Sequence, residues 1–522
     1  MRKLLRKLFS PTALAIFILL VEVGVVIFSV IFIQYILPSD KRMVASIITT
    51  TYRFTAFIVE LLIYFLVIRK DENPEFKIPW IACLILLPIL TAFFYLIFAN
   101  HGLRPKDKKF TPKIKEIIDD KFYQDRFKRA EFKMDVNKEY QGIFKFLKAN
   151  TGLHSTKGNR ITYYKNGETF FPEFKRALKT AKKFIFLEFF IISVGKEWDE
   201  IEKILLKKNE EGVEIRLIYD DMGCFGTLPA SYDKKLRKVG IKCVRFNKFT
   251  PLLSGIYNNR DHRKIAVIDH EIAFTGGMNL ADEYANEEIR FGYWKDTMVK
   301  VEGPGIANFI ATFLTNYDLT TKTLSDYDKY LDEDFPLYEE EGYTFFFGDG
   351  PKIGDHIPIG EINYINLINS ASESIYISTP YLIMPYTLLQ AIRTAAQRGV
   401  DIKLFVPGIP DKKVVYWMAK CDFYQLTKYG VHVYTYTPGF NHEKQVVIDD
   451  KLAFCGTINF DFRSLVHHYE CGVTMYNTSV IKEMISDFKE MESVSKEVSP
   501  TYKIGKLQFV IATTLKVFRT LL

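Results

Sequence analysis

Cysteine is scarce in this chain and never paired. The six cysteines are Cys83, Cys224, Cys243, Cys421, Cys455 and Cys471, and no two form a C-x-x-C. That excludes a disulfide-stapled secreted scaffold and predicts free thiols in a reducing compartment. Zinc-ligand spacings are missing too, so no metal and no other cofactor is expected. Charge of one sign is also lacking: 70 Lys and Arg against 62 Asp and Glu leave +8 over 522 residues. The excess is concentrated, because residues 101–150 hold 14 basic and 8 acidic side chains. Such a stretch suits an anionic partner, lipid headgroups or nucleic acid, against the plainer reading of a solvated helix face. It directly follows an apolar segment, which favours lipid.

Long hydrophobic runs are present near the N-terminus. Residues 12–37 are almost wholly apolar apart from Glu22 and Gln34, and Arg2, Lys3, Arg6 and Lys7 precede them. Their length allows a tilted bilayer crossing and exceeds that of a cleaved signal. Residues 78–100 are a second candidate span. Residues 44–68 are interrupted by Arg53 and Glu60, which leaves open a crossing, a re-entrant segment or a helix packed on the other two. The basic stretch 101–150 places the rest of the chain in the cytoplasm, although an N-terminus on the same side requires an even number of crossings. The cysteine usage agrees with a cytoplasmic catalytic part.

Beyond residue 150 the chain is written twice. Phe184 to Leu187 corresponds to Ser374 to Ile377, and Gly212 to Leu217 to Gly399 to Leu404. A helical stretch separates each pair, at 198–210 and 387–398. A glycine closes each helix and opens a strand, as it does again at Gly240 and Gly430. This is a βαβ signature, so each half is predicted as α/β with a mixed sheet flanked by helices. The expected organisation is a transmembrane region 1–100, a basic juxtamembrane segment 101–150, a first half 151–324, an acidic linker 325–345, a second half 346–500 and an amphipathic segment 501–522.

One motif, H-x-K-x4-D-x6-G-x2-N, occurs in both halves. The first copy is His262, Lys264, Asp269, Gly276 and Asn279; the second is His442, Lys444, Asp449, Gly456 and Asn459. Histidine and lysine two apart share one face of a strand. A two-residue turn at His270-Glu271 pairs Lys264 with Gly277 and His262 with Asn279, with a one-residue slip left open near the glycine. A turn at Asp450-Lys451 likewise sets Lys444 against Thr457 and His442 against Asn459. Each hairpin gathers His, Lys and Asn beside a small residue that leaves room for substrate.

Two such patches facing each other supply metal-free attack on a phosphodiester. One neutral imidazole attacks phosphorus; the opposite imidazolium protonates the leaving alkoxide and then deprotonates the incoming alcohol. Lys264, Lys444, Asn279 and Asn459 hold the non-bridging oxygens. Each imidazole needs an acceptor on its other nitrogen. Asp296 is assigned to His262 and Glu470 to His442. Asp269 and Asp449 complete the catalytic motif, with a hairpin-closing role beside the site rather than proton transfer. His101, His154, His270, His356, His432, His467 and His468 are read as structural.

These residues resemble the two HKD motifs of the phospholipase D superfamily, and most closely bacterial cardiolipin synthases. The resemblance runs from Trp80 to Phe98 and through Leu187 to Ile191, Ile377 to Leu382, Val406 to Lys413 and Asn459 to Ser464. It implies two phospholipase D-like halves behind transmembrane helices, and phosphatidyl transfer between two phosphatidylglycerol molecules to give cardiolipin and glycerol. It further implies His262 as nucleophile and His442 as acid and base, in a multi-pass protein of a bacterial cell membrane that does not bind nucleic acid. Gly277 departs from the family, which often has Ser there, whereas Thr457 keeps a hydroxyl. A hydrolase, with water as acceptor, is the competing reading; a lipid-binding scaffold with a dead site is disfavoured by two intact copies. At 503–522, Lys503, Lys506, Lys516 and Arg519 flank an apolar stripe. That pattern fits a helix docked on the catalytic part or one lying on anionic lipid.

Overall fold

The computed structural model describes residues 42–70, 72–98, 105–123, 136–248, 259–351, 357–501 and 504–521. They form two compact units, one holding the helices of residues 42–98 and the other the remaining described residues. The candidate span 12–37 lies outside the described residues, as do His101, His356 and Lys503.

The first unit contains α1 (Arg42–Arg69), α2 (Pro74–Leu86) and α3 (Pro88–Phe98). Ile63, Val67, Leu84, Ala92 and Tyr95 form its core, with Trp80 edge-on to Tyr95 at 5.3 Å. The run 78–100, expected as one span, is two helices. Proline at 88 disfavours helical geometry in the residue before it, and Leu87 sits at φ −148°, ψ 64°. Helices of 13 and 11 residues reach only about 20 and 17 Å, short of the ~30 Å bilayer core. Among the described residues, no helix is long and apolar enough to cross a membrane.

The second unit holds β1 (Arg160–Tyr164), β2 (Phe184–Phe189), β3 (Glu214–Asp220), β4 (Lys242–Phe246), β5 (Lys264–Ile268), β6 (Ile272–Gly276), β7 (Tyr293–Lys295) and β8 (Met298–Glu302). Its second half holds β9 (Tyr343–Asp349), β10 (Ser374–Ser378), β11 (Leu382–Ile383), β12 (Asp401–Pro407), β13 (His432–Tyr436), β14 (Gly439–Asn441) and β15 (Gln445–Ile448). It continues with β16 (Leu452–Gly456), β17 (Phe460–Asp461), β18 (Glu470–Tyr476) and β19 (Ser495–Glu497). The first sheet runs β1-β8-β6-β5-β2-β3-β4; the second, read from its far edge, runs β9-β18-β16-β15-β10-β12-β13-β19. The order is the same strand for strand, with β19 added at one edge. Both sheets are mixed: β2–β3–β4 and β10–β12–β13 are parallel, and the motif hairpins β5–β6 and β15–β16 are antiparallel. The halves meet where Thr275 touches Cys471 and Thr297 touches Cys455, at 3.5 and 3.8 Å. Helix α4 (Ile306–Thr321) is buried along most of its length, and its buried polar residues Asn308, Asn316 and Asp318 are hydrogen-bonded there. All six cysteines are free thiols.

Two expectations shift here. The stretch 101–150 supplies helices Pro105–Tyr123 and Lys138–Thr151, and Ile114, Ile118, Tyr140, Phe144 and Leu147 anchor them in the core of this unit. The stretch 325–345 contains a short helix, Tyr327–Leu331, and the start of β9.

Candidate active site

The motif strands set the geometry. β5 pairs with β6 as Ile268 opposite Ile272 and Ile265 opposite Thr275; β15 pairs with β16 as Ile448 opposite Leu452 and Gln445 opposite Cys455. Each turn therefore has three residues rather than two, and the inferred register is off by one. Asp269 enters its turn at φ 51°, and Asp449 and Asp450 enter theirs at 49° and 53°. The left-handed aspartate is the extra residue. It is held by its own side chain: Asp269 accepts the backbone N–H groups of Lys182, Lys183 and Phe184 at 2.7–2.8 Å. Asp449 accepts those of Ser372, Glu373 and Ser374, also at 2.7–2.8 Å. Burial pushes the Asp449 carboxyl up, but these donors hold it below its usual value. Both aspartates tie a hairpin tip to the neighbouring strand, at the opposite end of β5 and β15 from the histidines.

At the other strand ends the two halves cross-stitch. His262 N donates to Tyr469 O, and Tyr469 N to Arg260 O, both at 2.8 Å. His442 N donates to Lys295 O at 2.7 Å, and β14 lies parallel to β7. The residue after each stitched position is a carboxylate. The imidazole partners are therefore the reverse of those assigned from sequence. His262 Nδ1 lies 2.9 Å from Glu470, and His442 Nδ1 lies 2.6 Å from Asp296. Each histidine is held by the opposite half. A carboxylate at Nδ1 keeps the proton there and leaves the Nε2 lone pair free.

Around these pairs the site is buried and aromatic. Phe190 and His468 flank the His262 ring at 5.1 and 5.5 Å; Phe440, Trp294 and Tyr284 flank His442 at 5.4, 5.5 and 5.7 Å. Lys264 Nζ donates to His262 O at 2.6 Å, and Lys444 Nζ to His442 O. Burial lowers Lys264 to about 7 and Lys444 to about 8. Burial, then the nearby lysines, pushes both histidines well below their usual value, so the free site holds neutral imidazoles. Burial raises Asp296 to about 6 against the pull of Lys444.

The supporting residues divide unevenly. Asn279 is engaged at both ends, donating to Tyr284 Oη at 2.7 Å and accepting from Ile191 N at 3.0 Å. Asn459 Oδ1 is buried without a partner. The Thr457 hydroxyl donates to Glu470 and accepts from Cys471 N. At Gly277, a Cβ would stand 2.0 Å from Asp296 Oδ1. The missing side chain is what lets the shorter carboxylate reach His442.

Sequence reasoning missed the charges beneath the motifs. Arg263 donates to Glu470 O and Asp349 O at 3.0 and 2.9 Å and lies 3.7 Å from Glu188. Glu443, at the same motif position in the second copy, pairs with Lys295 at 2.5 Å, and Lys295 also pairs with Asp487. The middle motif position differs between the copies, so no shared pattern pointed to it. His468, read as structural, stands beside His262, and burial drives it down to about 3. Among the described residues, His262, His468 and Glu470 are the group whose ligand atoms come close enough for a metal ion. Both Glu470 oxygens lie within hydrogen-bond reach of His262 Nδ1, and one also accepts from Thr457.

The family described as cardiolipin synthase, phospholipase D-like domain, matches residues 174–307 and 364–492, one match over each motif copy. The chain belongs to this family. It is an enzyme, a phosphatidyltransferase. A cardiolipin synthase of Alkalihalophilus pseudofirmus is 30% identical over 84% of this chain and 86% of its own length. An uncharacterized protein of Streptococcus mutans is 42% identical over 81% of this chain and 91% of its own length. Among solved structures, a phosphatidylserine synthase of Haemophilus influenzae superposes with a TM-score of 0.57 at 14% identity. It covers 74% of this chain and 100% of its own. That likeness establishes the fold.

Proposed function

We propose that this protein makes cardiolipin and glycerol from two molecules of phosphatidylglycerol, through a phosphatidyl group carried on His262. The observation that carries the reading is the pair of buried imidazoles, each fixed at Nδ1 by a carboxylate of the other half and each beside a lysine. In the first step His262 Nε2 attacks phosphorus. A P–N bond forms, the P–O bond to the free-glycerol end breaks, and the departing alkoxide takes a proton from His442. Entry of the anionic phosphodiester supports that proton, because negative charge offsets the burial that keeps His442 neutral in the empty site. In the second step the terminal hydroxyl of another phosphatidylglycerol gives its proton to His442 and attacks phosphorus. A P–O bond forms and the P–N bond breaks. Lys264 and Lys444 stabilise the charge gathered on the non-bridging oxygens in both steps. Glu470 and Asp296 act as positioning residues, fixing the imidazole tautomers.

The family relatives named cardiolipin synthase support the choice of substrate. The free thiols and the basic stretch 101–150 support a catalytic unit on the cytoplasmic side of a bacterial membrane. A span at 12–37 belongs to the same proposal, whereas 44–68 lies in α1, which does not qualify as a span. Purified protein given phosphatidylglycerol alone should yield cardiolipin and glycerol in equal amounts by mass spectrometry. Phosphatidic acid as the main product would assign water as the acceptor and make the protein a hydrolase.

A further inference from the structure

The C-terminal helix α6 (Lys506–Lys516) packs on α5 (Lys413–Lys428), so the docked arrangement holds. Ala512 is fully buried, Lys516 pairs with Asp422 at 2.6 Å, and beyond the helix Thr520 O accepts from His467 Nε2 at 3.1 Å. Arg519 lies over the Phe462 ring. Two of the four basic residues thus face protein rather than solvent.

The opposite face of α6 is not that of an ordinary surface helix. Leu507, Phe509 and Val510 are 73%, 50% and 60% exposed, and no charged residue occurs from 507 to 515. A helix docked by one face ordinarily carries charge on the other; here the exposed positions between Lys506 and Lys516 are apolar side chains and the uncharged Thr513 and Thr514. The charge nearby has one sign. Residues 502–522 contain no Asp or Glu. Lys506 is exposed at the start of the helix, and the acid next to α6, Asp422, is paired with Lys516. The segment entering α5 has Ile409 and Val414 exposed beside exposed Lys412 and Lys413, with Asp411 taken up by Lys412 and the Tyr381 hydroxyl. That end belongs to the active-site surroundings: Lys412 lies over the Tyr381 ring, Tyr381 contacts Phe440, and Phe440 flanks His442. The other end of the C-terminal segment touches Phe462 and His467, in the turn that leads to His468 and Glu470.

We propose that the outward face of α6 is a docking surface for an anionic phospholipid bilayer. Leu507, Phe509 and Val510 insert among the acyl chains and Lys506 meets the headgroups. Exposed apolar side chains beside an exposed lysine, in a segment 502–522 without Asp or Glu, are the composition of an interfacial helix, and cations next to an anionic leaflet complete it. The proposal rests on the reading of the substrate as a membrane lipid. It adds how the catalytic unit is held where that lipid enters.

The test compares the full-length protein with the Leu507→Ser, Phe509→Ser, Val510→Ser variant, both reconstituted into phosphatidylcholine vesicles. One arm supplies long-chain phosphatidylglycerol within the vesicle membrane. The other supplies a short-chain phosphatidylglycerol dissolved as monomers in the surrounding buffer. The expected result is an apparent KM for the membrane substrate raised about tenfold in the variant, with kcat and all rates on the monomeric substrate unchanged. Equal kinetics in both arms would overturn the proposal. So would an equal loss in both, which marks the face as structural, or a change from dimer to monomer without a change in membrane KM, which assigns the face to a second copy. A parent protein inactive in both arms would instead sink the proposed activity, so the two failures are distinct.

Discussion

At the scale of residues, the site sets its own pH window. Asp296 titrates near 6, and must be ionised to hold His442. Lys264 and Lys444 titrate near 7 and 8, and must be charged to hold a phosphodiester. For the free enzyme, kcat/KM should fall below about 6 as Asp296 protonates and fall again above 7 to 8 as the lysines lose their protons. A profile flat from pH 5 to 9 would remove these groups from the chemistry. Gly277 makes a second prediction. Serine there would restore the family pattern, yet its Cβ must displace the Asp296 carboxylate. Gly277→Ser should therefore lower kcat by about a hundredfold, the low end of the ~10²–10⁴-fold contributed by a positioned acid–base group, because His442 is misoriented rather than removed, with little change in KM. Unchanged kcat would show that Asp296 shifts at no cost. The histidines, lysines and supporting carboxylates were legible as a set, because the motif repeats. The pairing was not. Proximity along the chain suggested Glu470 for His442, whereas the bridge between Asp261 and Tyr469, with His262 N donating to Tyr469 O, delivers it to the other half.

At the scale of elements, the hairpins show where a periodic pattern runs out. The apolar strands β5 and β6 and a turn between them were readable, but not that Asp269 adopts a left-handed conformation and lengthens the turn by one. The information lies in three backbone donors from the segment leading into β2, about 85 residues away. Removing the carboxylate should cost stability rather than chemistry. Asp269→Ala is expected to destabilise the catalytic unit by about 2–4 kcal/mol, the scale of losing charge-assisted hydrogen bonds. Thermal unfolding would register this as a lower Tm, with kcat per folded molecule within about threefold of the parent. A hundredfold loss of kcat at unchanged Tm would return Asp269 to the chemistry. The run 78–100 carries the opposite lesson. Its apolar content predicted a single span, but at Pro88 the preceding Leu87 leaves helical geometry, and local stereochemistry overrides composition.

At the scale of the whole molecule, duplication explains both the fold and the chemistry. Two sheets of matching strand order place two hairpins across one interface. Neither half holds a complete site, because each histidine takes its carboxylate from the other. The α/β class and the doubled architecture were legible from the repeated strands. The interlocking was not, because it arises from short parallel pairings between β7 and β14 and between Asp261 and Tyr469. The central claim is that these two imidazoles divide one reaction into two by way of a covalent intermediate. It is tested most directly in a His442→Asn variant, which removes the acid and base and slows the discharge of any adduct. After brief exposure to labelled phosphatidylglycerol and a denaturing quench at neutral pH, peptide mapping should find an acid-labile phosphatidyl group on His262. Label recovered only on His442 of the converse His262→Asn variant, or on no histidine in either variant while the parent protein turns over, would contradict the account.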